Sequence, residues 1–127
     1  RLELDPLNAG AFRAAGYIAL FARDYGGTIR QMERALALNG RLVSAQFGIA
    51  VARLLQGDAA GALTAAAAET GRPYSLTATA MARAKQGDRA GSDAAFDLLK
   101  AEFPDSRYQL AQVHAQRGET GAALAMI

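Results

Sequence analysis

The chain has 127 residues, 51% of them hydrophobic with many of those Ala, 13 Gly, 3 Pro and neither Cys nor Trp. The missing Cys excludes a disulfide framework, a thiolate metal site and a cysteine nucleophile, and fits cytoplasm and periplasm equally. A formal net charge of +2, with acids and bases interspersed, reads as solvated helical surface and gives no ground for nucleic-acid binding.

Ala has the highest intrinsic helix propensity, so the composition points to an all-helical chain. No apolar run approaches the ~20 residues that span a bilayer, so no membrane insertion is expected of this segment, and no signal-peptide pattern opens the sequence. RLELDP at 1–6 reads as the end of a helix, which suggests a piece of a longer protein.

Taken in order, the first predicted helix covers 9–22, with Phe12, Ala15, Tyr17, Ala19 and Leu20 mostly at three- and four-residue steps. A second covers 28–38, with Ile29, Met32, Ala35 and Leu36 apolar and Thr28 near its start. The third, 42–55, is apolar nearly all round, as a helix between neighbours should be. The fourth, 58–70, is short and Ala-rich, and Gly71 ends it. Pro73 opens the fifth in a favourable N-terminal position, and that helix runs to about Lys85. The sixth covers 88–102 and presents Ala95, Phe96, Leu98 and Leu99. EFPDS at 102–106 breaks it, because Pro104 disfavours helix at Phe103. Asp105 or Ser106 caps a seventh helix through Val113, and an eighth begins near Glu119.

One phrase punctuates these helices. LLQGDAAGAL (54–63), AKQGDRAGSD (84–93) and AQRGETGAAL (115–124) each place Gly, an acid and small residues after an apolar run. Gly closes a helix in the left-handed conformation, and the following acid caps the next helix and favours its positive end. Tight turns are therefore expected at Gly57-Asp58, Gly87-Asp88 and Gly118-Glu119. Walker and EF-hand spacings are absent, so no nucleotide or calcium loop is expected there. Paired helices recurring at a 20–50-residue period are the signature of a solenoid.

With these pairs the chain resembles the tetratricopeptide repeat family, whose unit is about 34 residues of helix–turn–helix. LELDP at 2–6 and LALNG at 36–40 echo each other, and Pro6 and Gly40 lie 34 residues apart. Phe12, Ala15-Gly16, Thr28, Met32 and Ala35 match the pattern of a first unit. Ile49-Ala50, Gly57 and Ala62 match a second. Thr79-Ala80, Gly87, Ser92, Phe96 and Pro104 match a third, and Leu110-Ala111, Gly118 and Ala123 a fourth. The resemblance implies an all-α, right-handed α-solenoid of antiparallel helix pairs with about 3.5 repeats. Residues 1–6 would be the tail of a preceding repeat, 7–40 repeat 1, 41–72 a short repeat 2, 73–104 repeat 3 and 105–127 a partial repeat 4.

Small residues recur where paired helices should meet: Gly16, Ala50, Ala80 and Ala111 on one helix, Thr28, Ala62, Ser92 and Ala123 on the other. A bulky residue there would cost ~1–3 kcal/mol. Two departures stand out. Gly57 and Gly87 are 30 residues apart, which implies a helix shortened by about one ~3.6-residue turn in the second unit. Ala19, Arg53, Arg83 and His114 stand where the family prefers an aromatic, which implies looser packing or an unusual twist. A finer likeness, carried by YQLAQVHAQRGE at 108–119, is to the C-terminal repeats of certain large bacterial signalling proteins. Their adenylate-cyclase-type, winged-helix and kinase domains are not in this chain.

Nothing nominates a catalytic, metal or cofactor site. His114 is the one His, without a Cys or a nearby carboxylate pair, so a packing or surface role is expected. Asp88, Asp93 and Asp97 read as a solvated acidic stripe, with residues 93 and 97 on one helical face. The first helix of each pair in such a solenoid lines the concave surface. By register Gly10, Arg13, Tyr17, Ser44, Phe47, Val51, Tyr74, Thr77, Met81 and Lys85 face it or pack between helices. That mixture suits an extended or helical peptide with a carboxylate or acidic side chain held by Arg13 or Lys85. The Lys and Asn of repeats that clamp a chaperone's C-terminal carboxylate are replaced by Arg13, Tyr17, Phe47 and Val51, so that ligand is not expected. The expected function is a non-catalytic protein–protein interaction scaffold that binds a peptide or partner protein and needs no cofactor. The alternative is self-association into a homo-oligomer, or docking onto an adjoining domain. ALAMI at 123–127 motivates it, because a terminal repeat usually needs a polar cap.

Overall fold

A computed structural model describes residues 7–119 and 121. Among the described residues there are seven helices and no strand: α1 (Leu7–Phe21), α2 (Tyr25–Leu38), α3 (Ala45–Leu55), α4 (Ala59–Ala68), α5 (Arg72–Lys85), α6 (Arg89–Glu102) and α7 (Arg107–Gln116). The eighth helix expected from near Glu119 falls outside the described residues, as do residues 1–6 and Ala123.

The recurrent Gly-acid phrase is one hydrogen-bonded turn made four times. Asp24 N donates to Ala19 O at 2.8 Å, Asp58 N to Arg53 O at 2.8 Å, Asp88 N to Arg83 O at 2.9 Å and Glu119 N to His114 O at 2.8 Å. Each is the six-to-one bond that closes a helix over a left-handed residue. That residue is Gly57 (φ +84°), Gly87 (φ +79°) or Gly118 (φ +76°), and in the first turn it is Arg23 (φ +64°). The α1–α2 turn escapes the sequence pattern because an Arg, at a torsional cost, stands where the others have Gly.

The acid then starts the next helix. Asp24 Oδ1 accepts the N–H of Gly27 at 2.9 Å, Asp58 Oδ1 that of Gly61 at 2.8 Å, and Asp88 Oδ1 that of Gly91 at 2.9 Å. A Cβ on any of these three glycines would run into the carboxylate of its own Asp. Asp-x-x-Gly therefore works as a unit, with the missing side chain making room for the cap.

Several helix ends differ from the sequence expectation, each for a stated reason. The Asp24 cap starts α2 at Tyr25 instead of 28. Left-handed Ser44 (φ 70°) delays α3 to Ala45, leaving Leu42 in the preceding loop. Glu69 is extended, so α4 stops at Ala68, and Gly71 caps the start of α5 instead of closing α4. α7 continues beyond Val113 to Gln116. With 10 residues, α4 is about one turn shorter than α2 and α6 with 14 each.

Consecutive helices pack together along the whole described chain, and α1 also touches α3, α3 touches α5, and α5 touches α7. Among the described residues α2, α4 and α6 make no contact with one another. The odd-numbered helices thus form a continuous row that the even-numbered ones flank. Gly16, Thr28, Ala50, Ala62, Ala80, Ser92 and Ala111 are all buried, and Ser92 Oγ donates to Ala80 O at 2.8 Å across the α5–α6 pair. Met32 of α2 is fully buried and fills the space left by Gly16 of α1 and Gly48 of α3. A side chain of that size contributes about 1.5–3 kcal/mol when removed from water.

Candidate functional site

The row of odd helices encloses a cleft of about 310 Å³. Tyr17, Leu20 and Phe21 line it from α1, Phe47 and Val51 from α3 with Ser44 at its start, Tyr74 from α5, and Tyr108, Gln109 and Gln112 from α7. The chain has 4 Tyr and 5 Phe, and five of these nine aromatics stand around this one cleft. Phe47, only 5% exposed, forms part of the floor and packs on Tyr74 with ring centroids 5.3 Å apart. Phe21 and Tyr108 are 82% and 66% exposed. No charged side chain lines the cleft. A larger and shallower hollow of about 520 Å³ runs over α2, α3 and α4 past Glu33, Arg53 and Asp58, and no aromatic lines it.

The cleft's shape depends on where α3 begins, and three side chains from other elements set that point. Tyr17 Oη donates to Ser44 O at 2.7 Å, and Arg13 Nη1 donates to Val43 O at 2.8 Å. Glu69 completes the clamp: its Oε2 accepts the N–H groups of Ser44 (2.9 Å) and Gly71 (2.8 Å), and its Oε1 that of Phe47 (2.9 Å). Glu69 is only 7% exposed. Its charge is tolerated there because it faces the unpaired N–H groups and positive end of α3. Burial pushes the Tyr17 phenol up to about 12, so it remains a donor near neutral pH.

Of the residues nominated from sequence, Tyr17, Ser44, Phe47, Val51 and Tyr74 come together at the cleft. Gly10, Arg13, Thr77, Met81 and Lys85 do not line it. Arg13 spends its guanidinium on the Val43 carbonyl. Thr77 is fully buried and returns its hydroxyl to Pro73 O at 2.6 Å. Met81 is buried in the packing of α5, and Lys85 is exposed at its end. Arg13 and Lys85, nominated to hold an acidic ligand group, thus stand outside the lining of this cleft.

Sequence reasoning passed over Leu20, Phe21, Tyr108, Gln109, Gln112 and Glu69. The same register could have found three of them. Tyr108 and Gln112 lie 31 residues beyond Thr77 and Met81, as Gly118 lies beyond Gly87. Phe21 follows Tyr17 by four residues as Lys85 follows Met81.

A second polar cluster surrounds Phe96. His114 packs edge-on against its ring with centroids 4.8 Å apart, Lys100 Nζ lies 4.5 Å from the centroid, and the Arg117 guanidinium lies 5.3 Å away. Arg117 Nη2 donates to Asp93 Oδ1 at 2.8 Å, and Arg89 reaches Asp93 at 3.3 Å and Glu119 at 3.1 Å. His114 Nδ1 and Glu119 Oε1 are 2.8 Å apart. That hydrogen bond, followed by Arg89 and Arg117, holds the Glu119 carboxyl below the ordinary range. The acids once grouped as a stripe have separate tasks: Asp88 caps α6, Asp93 pairs with two arginines, and Asp97 pairs with Lys100 at 3.4 Å. Among the described residues no group of three or more His, Cys, Asp or Glu is arranged to hold a metal ion, and no helix is long and apolar enough to cross a membrane.

No protein-family model matches the chain, and no curated protein matches it.

Proposed function

We propose that this chain is a non-catalytic interaction scaffold, a solenoid of the tetratricopeptide kind, whose cleft receives a polypeptide segment of another protein. The observation that carries this reading is the gathering of five of nine aromatics around one open cleft. Aromatic side chains bury much area at small conformational cost and dominate binding hot spots. Leaving Phe21 and Tyr108 bare to water is unfavourable unless something covers them. The repeat reading is supported by four turns of one hydrogen-bonding pattern and by the row of odd helices flanked by separated even ones. The His114–Glu119 pair fits a structural role, since arginines engage the same carboxylate. Membership of a bacterial signalling protein rests on the YQLAQVHAQRGE likeness alone.

The experiment is photocrosslinking from single positions. A photoreactive side chain at Phe21 or Tyr108 should capture a partner, and one at the exposed Leu98 of α6 should not. Capture from Leu98 alone would overturn the reading. Self-association remains the second reading, favoured by Ile18 and Phe21 lying exposed on one helix. Sedimentation at rising concentration tests it: a constant monomer mass would exclude it, and a dimer lost in Phe21→Ser would support it.

A further inference from the structure

We infer that the hollow between the α5–α6 turn and the end of α7 is a binding site for a phosphoryl group, held by Arg117 and Arg89. It shares no lining residue with the aromatic cleft, so the inference stands apart from the scaffold reading.

Arg117 carries the argument. Its side chain is only 5% exposed. Nη2 is spent on Asp93 Oδ1 at 2.8 Å. Nε and Nη1, which hold most of the guanidinium's donors, are buried and have no hydrogen-bond partner among the described residues. Glu119 Oε1 stops 3.6 Å from Nε. Phe96 covers one face of the group, its ring centroid 5.3 Å from the guanidinium carbon. Buried donors left open, on a charged group above all, are costly. Folds keep them where water, an ion or a ligand supplies the missing acceptor.

The hollow that Arg117 lines has room for such an acceptor. Its volume is about 230 Å³, and its wall is Ala84, Gly87, Arg89, Gln116 and Arg117. Among the described residues the two arginines are the only charged members of that wall. Asp93 and Glu119 hold the same arginines from outside it: Arg89 Nε lies 3.3 Å from Asp93 Oδ1, and Arg89 Nη2 donates to Glu119 Oε2 at 3.1 Å. The acids orient the guanidinium groups and leave the wall itself positive.

The backbone agrees with an anion. α6 starts at Arg89 on the same rim and brings the positive end of its dipole. The carbonyl ends of α5 and α7, which would repel an anion, are taken up by their turns. Gly87 N donates to Ala84 O at 3.0 Å and Asp88 N to Arg83 O at 2.9 Å, while Gly118 N donates to Ala115 O at 3.1 Å and Glu119 N to His114 O at 2.8 Å. Two arginine forks and a helix start supply separate groups of donors. A tetrahedral phosphoryl group offers an oxygen to each, whereas a planar carboxylate offers only two. Free phosphate and a phosphate monoester share this chemistry.

The test is titration of the isotope-labelled protein with inorganic phosphate at constant ionic strength, read by backbone amide and arginine Nε–H signals. Expected are saturable shifts at Gly87, Arg89, Gln116 and the Arg117 Nε–H, little response to acetate and none to chloride. Arg89→Gln, at a side chain 61% exposed, leaves the fold intact and should weaken binding about tenfold. Arg117→Lys keeps the charge but loses the fork, and should weaken binding comparably. Arg72→Gln, at an exposed arginine paired with Glu102, should leave the affinity unchanged. Phosphate should also raise the melting temperature of the wild type and not that of Arg89→Gln. Comparing glycerol phosphate with inorganic phosphate tells which source is preferred, and saturable binding of either supports the site. Shifts that never saturate, an equal response to acetate or chloride, or unchanged affinity in Arg89→Gln would overturn the inference. So would a crystal structure grown in phosphate that shows only water beside Arg117.

Discussion

The Glu69 carboxylate accepts the backbone N–H of Phe47 at 2.9 Å across 22 residues of chain. A residue at the end of α4 thereby does for α3 what a local cap does elsewhere, since Ser44 makes no side-chain cap bond there. Hydrogen bonds to a charged acceptor are worth about 1.5–3 kcal/mol, and removing it strands three donors. Glu69→Ala should therefore lower the unfolding free energy by about 3 kcal/mol, and Glu69→Gln by about half as much because one acceptor oxygen remains. Ser44→Ala should cost less than about 0.5 kcal/mol, as expected of a side chain outside the capping scheme. Urea denaturation of the three variants checks the ranking.

Arg23 occupies a position that the other three turns give to Gly. Left-handed backbone costs an L-residue roughly 1–2 kcal/mol, partly offset by the greater freedom Gly has in the unfolded chain. Arg23→Gly should raise stability by about 1 kcal/mol. Gly57→Ala should lower it by a similar amount, and thermal unfolding reads both.

Asp58 and Gly61 should be energetically coupled. Removing the cap in Asp58→Ala costs about 1 kcal/mol. Gly61→Ala gains about 1 kcal/mol of helix propensity but collides with the capping carboxylate, so its net effect should be near zero. In the Asp58→Ala background that collision is gone, and Gly61→Ala should stabilise by about 1 kcal/mol. A double-mutant cycle measures the coupling.

Tyr17 predicts behaviour at alkaline pH. Its phenol is raised from 10.0 to about 12, chiefly by burial. The folded state therefore keeps a proton that the unfolded chain has already released. Its contribution is intact below about pH 10 and is lost as pH rises towards 12, on the order of 2 kcal/mol in all. Ultraviolet difference titration should show a phenol ionisation close to pH 12. Tyr17→Phe should abolish that late step, and Tyr25→Phe should retain it.

Much of the helical order was legible because its signals are local. Gly57, Gly87 and Gly118 each announce a turn through a neighbouring acid, and Pro73 and Pro104 mark a helix start and a helix stop. The start of α2 was misplaced because Arg23 gives no such announcement. The start of α3 was misplaced because Arg13, Tyr17 and Glu69 determine it from 22 to 30 residues away. No local pattern marks Glu69 as a cap for another helix. In the cleft, the register implied by the repeat resemblance brought Tyr17, Ser44, Phe47, Val51 and Tyr74 together. That register could not tell that Thr77 and Met81 would be buried while the equivalent Tyr108 would stand exposed and Gln112 half-exposed, because that depends on how α7 seats on α5.

The most direct measurement is amide chemical-shift mapping of the isotope-labelled protein, titrated with the partner captured by crosslinking at Phe21 or Tyr108. The account predicts shifts concentrated on the C-terminal half of α1, the start of α3, the first turn of α5 and α7 near Tyr108–Gln112, with α2, α4 and α6 unmoved. Shifts centred instead on the hollow beside Glu33, Arg53 and Asp58 would contradict it.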